Sequence, residues 1–151
     1  MIPTMGGRAF VAAACLVVAG HAGACELSLT EHRSGRELLR AAMPAPQLRV
    51  AFTHSVLGTP VEDRYVWRSG AWRLVDERFE GHGYGLPHAA ADGERLERDG
   101  DGWRLQLDRP VQPLVLRAPA VAQVRLVLDD GRVWPLTGLA ACAIEVRALS
   151  C

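Results

Sequence analysis

The sequence contains no lysine: all 17 of its Lys/Arg positions are arginine, and 17 acidic residues balance them to a formal net charge of zero. No arginine cluster stands out, so the bias reads as codon usage. Without a basic stripe to neutralise phosphates, nucleic acid is excluded as a partner. No C-x-x-C and no zinc-ligand spacing occurs, which argues against a cysteine metal centre. No G-x-S-x-G elbow is present, so a serine hydrolase is a poor reading. The glycine-rich segment lacks the Lys-Ser/Thr of a phosphate loop. Between Cys25 and Cys151 no apolar period of 3.6 residues is sustained, and no linker divides the chain.

What is present begins with an export pattern. Arg8 precedes the apolar run Ala9–Gly20, and small residues follow at Ala22-Gly23-Ala24. The run is shorter than the ~20 residues that span a bilayer, and its architecture is that of a cleaved signal peptide over residues 1–24. The mature chain, 25–151, then lies outside the cytoplasm, in the periplasm. Two cuts compete. Signal peptidase would leave Cys25 as a free thiol, whereas a lipoprotein cut would acylate it and anchor the chain to a membrane. Lipoprotein signals prefer a Leu-like residue three positions before the cysteine, where Ala22 stands. If Cys25 carries lipid, Cys142 and Cys151 form an even pair; if not, Cys25 can bridge to Cys142 or Cys151 and tie the first strand to the last.

At 151 residues, 49% apolar and 23% charged, the chain has the size and composition of one globular domain. "CELSLTE" and "RELLRAAMP" read as strands, the second ambiguous with a helical turn. "QLRVAFTHSV" alternates, with Leu48, Val50, Phe52, His54 and Val56 on one face. Three hairpins are signalled about Ser69-Gly70, Asp99–Gly102 and Asp129–Gly131, because Gly takes positive φ freely and such turns match strand twist. "CAIEVRA" is the last strand. The expected fold is all-β, a single antiparallel sandwich or barrel-like domain.

Two stretches carry candidate chemistry. In "THSVLGTPVEDRY", His54 is expected at the core's edge, and a turn at Leu57–Thr59 would set Glu62 opposite it, though a one-residue slip would substitute Val61. Strand alternation would send Ser55 away from His54 and so deny a Ser–His pair; Ser55 and Thr59 read as turn-capping hydroxyls. In "FEGHGYGLPHA", Gly81, Gly83 and Gly85 alternate with His82 and Tyr84. His54, His82 and His88 would share a metal only if this loop folds back onto the hairpin. The spacing is not diagnostic, and no metal or cofactor is expected. The tryptophans at 67, 72, 103 and 134 read as packing.

Together these stretches resemble the bacterial domain-of-unknown-function family 1850. His54, Ser55, Val56, Thr59, Pro60 and Val61 match its first block, with Glu62 and Asp63 in the acidic positions. Phe79, Gly83, Gly85, Leu86 and Pro87 match its second. Gly81, His82 and Tyr84 depart from its usual Ser, aromatic and Ala. The resemblance implies a small exported protein encoded beside TRAP transporters of the TAXI type, hence a non-enzymatic periplasmic accessory or binding module whose partner is the receptor or the permease. Its expected contact surface is His54, Ser55, Thr59, Glu62, Asp63, His82, Tyr84, Gly85 and Pro87, and no catalytic residue is inherited. Two alternatives stay open: a metal-assisted hydrolase using His54, Glu62 and the loop histidines, and a structural envelope protein.

Overall fold

The computed structural model describes residues 25–140 and 143–151. Residues 1–24, where a signal peptide is expected, and Cys142 lie outside the described residues. The strands are β1 (Glu26–Glu31), β2 (Glu37–Ala42), β3 (Gln47–Thr53), β4 (Pro60–Arg68), β5 (Ala71–Phe79) and β6 (Arg95–Asp99). They continue with β7 (Gly102–Val111), β8 (Leu114–Arg117), β9 (Arg125–Val127), β10 (Val133–Pro135) and β11 (Ala143–Leu149), with one 3₁₀ turn at Ala120–Ala122. The three signalled hairpins form as β4–β5, β6–β7 and β9–β10.

The strands build a sandwich rather than a barrel. The smaller sheet runs β2-β1-β11-β8 and the larger β10-β9-β3-β4-β5-β7-β6. Period-2 alternation gives each sheet an apolar inner face. Leu27, Leu29, Ile144 and Val146 from the smaller sheet meet Leu48, Val50, Trp72, Leu105 and Leu126 from the larger, all buried. Trp72 is fully buried, and its indole N–H donates to the Val146 carbonyl at 3.0 Å, one polar tie between the two layers. A disulfide joins Cys25 to Cys151, whose Cα atoms are 4.6 Å apart, beside the antiparallel ends of β1 and β11. Of the two Cys25 pairings open in the sequence, either of which would tie the first strand to the last, the structure forms the one to Cys151. Cys151 is therefore not paired with Cys142, and a Cys25 sulfur held in a disulfide cannot carry a thioether-linked lipid.

Three features differ from the sequence expectation. β3 ends at Thr53 rather than running through His54 to Val56. β8, a short strand between Pro113 and Pro119, lies where the sequence pattern predicts no strand. In β5 a bulge at Val75 adds a residue opposite the Arg64–Tyr65 step of β4, so inward positions pass from Trp72 and Leu74 to Glu77 and Phe79.

Candidate functional site

The β3–β4 connection is tighter than expected. His54 N–H donates to the Thr59 carbonyl (2.8 Å) and Gly58 N–H to the His54 carbonyl (2.9 Å), closing the hairpin at His54–Thr59. The ladder pairs Thr53 with Pro60, Phe52 with Val61 and Ala51 with Glu62. Neither Glu62 nor Val61 therefore faces His54. Register fixes which residues meet, and here the turn begins before the histidine.

His54 instead organises the tip. The amides of Val56 and Leu57 donate to its Nδ1 at 3.3 and 3.1 Å, and its Nε2 donates to the Tyr84 carbonyl at 3.2 Å. That pattern requires the neutral ring with its proton on Nε2. Both nitrogens are engaged, so His54 has none to offer Ser55 as a base. The Ser–His pair is absent for that reason rather than through strand alternation, since both residues lie in the turn. Thr59 does not cap its own turn; its hydroxyl donates to the Glu80 carbonyl at 3.1 Å.

These bonds lock the tip to the glycine loop. Tyr84 and Gly85 both take left-handed φ (55° and 99°), as the central residues of type I′ turns do, and Leu86 N–H closes the turn on the Gly83 carbonyl at 3.1 Å. His82 Nδ1 donates to the Pro87 carbonyl at 3.0 Å, with its ring 4.7 Å from that of Trp103. Gly81 sits at φ +81°, where an added Cβ would lie 3.3 Å from Leu57 Cδ1 across the contact. The outcome is a compact end of the sandwich that exposes Val56 (61%) and Tyr84 (73%).

The acidic pair is divided by the pleat. Glu62 lies on the outer face of the larger sheet, where Arg49 Nη1 approaches its Oε2 at 3.2 Å. Asp63 points inward beside Val50. Burial is the main cause that raises its carboxyl to about 7, the Glu77 charge adds to it, and donation from the Tyr65 hydroxyl (3.4 Å to Oδ2) pulls the other way. Glu77, the cross-strand partner of Asp63, is also raised by burial, against the opposing pull of Arg109. Asp63 Oδ1 and Glu77 Oε2 are both buried without a hydrogen-bond partner. Sequence reasoning singled out Asp63 but missed Glu77 and Tyr65; parity with Val61 and Tyr65 would have placed Asp63 inside.

A cleft of about 420 Å³ opens next to Asp63, between the inner face of the larger sheet and β8. Val50, Phe52, Leu116 and Val124 supply apolar walls, and Thr53, His54, Ser55 and Arg117 also line it. Among the described residues no three His, Cys, Asp or Glu side chains are placed to hold one metal ion. His54, Glu62 and the loop histidines are accordingly not brought together as a ligand set.

Residues 48–136 match the family described as a domain of unknown function, DUF1850. The chain belongs to that family. No curated protein and no solved structure matches it. The DUF1850 segment begins in β3 and ends just past β10. It contains the tip, the glycine loop, Asp63, Glu77 and β8, and leaves out β1, β2, β11 and the disulfide that frames them.

Proposed function

We propose that the protein is an exported, non-enzymatic accessory or binding module of a TAXI-type TRAP uptake system, which meets the receptor or permease through the β3–β4 tip and the glycine loop. The observation that carries this reading is the tip itself. The two blocks that characterise the DUF1850 likeness are hydrogen-bonded to each other through His54 and Thr59, and the unit they form leaves Val56 and Tyr84 exposed. Exposed apolar and aromatic side chains held on a fixed backbone suit a protein contact, because little further ordering is needed on binding. The signal pattern of residues 1–24 supports export, and a Cys25–Cys151 disulfide suits an oxidising compartment.

The test is binding of the purified mature chain to the TAXI receptor and to the detergent-solubilised permease of its own organism, followed by interferometry. The double variant Val56→Asp, Tyr84→Ala is expected to weaken binding by roughly tenfold or more, as loss of an interface anchor does, while unfolding at the wild-type midpoint. Wild-type affinity in the double variant, or no binding to either partner, contradicts the reading.

A further inference from the structure

The cleft beside β8 adjoins the tip, sharing His54 and Ser55 with it, but opens away from the exposed Val56 and Tyr84, neither of which lines it, and its charges are arranged unusually. Asp63 and Arg117 both line it, yet they do not pair with each other. Among the described residues no base lies within salt-bridge distance of Asp63, whose side-chain hydrogen bond is from the Tyr65 hydroxyl at 3.4 Å. Arg117, exposed on β8, has no carboxylate within that distance among the described residues. Among the described residues eleven arginines meet a carboxylate, Arg49, Arg73, Arg104, Arg109, Arg132 and Arg147 among them.

A carboxylate kept in a largely apolar wall without a cationic partner is costly, and a cation that reaches it recovers part of that cost. A simple cation, however, would also meet Arg117, and a simple anion would meet Asp63. A ligand bearing both signs satisfies both side chains. The remaining walls, Val50, Phe52, Leu116 and Val124, offer apolar area to its body. The volume of about 420 Å³ falls within the range of roughly 300–1,000 Å³ typical of small-molecule sites.

We propose that this cleft binds a small zwitterion with an apolar body, its ammonium group at Asp63 and its carboxylate at Arg117. His54 serves as wall rather than ligand, since both of its ring nitrogens are engaged. The hydroxyls of Thr53 and Ser55 stand on the same rim.

The groups around Asp63 give binding a pH dependence. Glu62 and Tyr65 flank it on β4, Glu77 faces it from β5, His54 lies at the turn and Arg117 on β8. Because burial holds the Asp63 carboxyl at about 7, an ammonium group binds its ionised form better, and affinity rises from pH 6 to pH 8.

Calorimetry of the full mature chain with L-leucine, isoamylamine and isocaproate tests this. Leucine is expected to bind, with the amine and the acid roughly tenfold weaker or worse, because each leaves one charge unmet. Arg117→Ala, at an exposed position, and Asp63→Asn are each expected to lose roughly tenfold in leucine affinity, and the second also loses the pH dependence. Absence of leucine binding overturns the proposal, as does amine binding equal to leucine or wild-type affinity in Arg117→Ala. These readouts involve no protein partner, so they stand or fall apart from the tip surface.

Discussion

Asp63 and Glu62 are neighbours in sequence with opposite circumstances. Glu62 shares the outer face with Arg49, whereas Asp63 faces the interior and is raised to about 7 by burial and by Glu77. The raised value has a definite consequence for stability. Folded Asp63 holds its proton up to about 7, while in the unfolded chain it releases it near 4. The folded state therefore binds more protons between those limits, and its stability falls as pH rises through that window. Asp63→Asn removes the effect and keeps an acceptor for the Tyr65 hydroxyl. Denaturant melts at pH 5 and pH 8 are expected to show the variant gaining on wild type by a few kcal/mol at the higher pH, in order of magnitude. Equal differences at both pH values would refute the assignment. Asp63's inward position was legible in the sequence from its parity with Val61 and Tyr65. Glu77's was not, because the bulge after Leu74 shifts the parity of β5, and a bulge has no reliable mark in residue pattern.

At the scale of elements, His54 joins two loops that lie some thirty residues apart in the chain. Its ring accepts from two amides of its own turn and donates to the glycine loop. His54→Ala removes these three bonds and is expected to destabilise the domain by about 1–3 kcal/mol, judged by denaturant unfolding. It should also raise amide exchange at Leu57. Unchanged exchange there would show that the tip is held by other means. The hairpins about Ser69-Gly70, Asp99–Gly102 and Asp129–Gly131 were readable because each turn announces itself locally. The tip was misread in detail: the apolar alternation of β3 continues in the letters past Thr53, but the backbone turns at His54, and only the closing bonds between His54 and Thr59 reveal it. β8 was missed because "LVLR" is too short for a pattern and acquires its identity from pairing with the distant β11.

For the molecule as a whole, the smaller sheet gathers the two ends of the described chain onto neighbouring strands, and the Cys25–Cys151 bond fixes that meeting. The sequence separation of 126 residues makes the closed loop long. On the chain-entropy account, closing loops of this order stabilises by about 4–5 kcal/mol, with native strain reducing the gain. Cys151→Ser is thus expected to lower unfolding free energy by about 2–5 kcal/mol. Peptide mapping of the non-reduced protein, expressed with residues 1–24 in place, should recover the Cys25 and Cys151 peptides joined. Recovery of Cys25 as a lipidated residue would contradict the pairing. The all-β class was legible because turn signals recur at short intervals and no helical period competes. The division into sheets was not, since it rests on β1–β11 and β8–β11 contacts that join segments far apart in sequence.

Hydrogen exchange gives the most direct test of a receptor contact through the tip surface. Residues 25–151 would be compared alone and with saturating TAXI receptor. Added amide protection is expected to concentrate in residues 54–59 and 80–88, where the two loops meet. Protection confined to other strands, or an exchange pattern unchanged by the receptor, would contradict that contact.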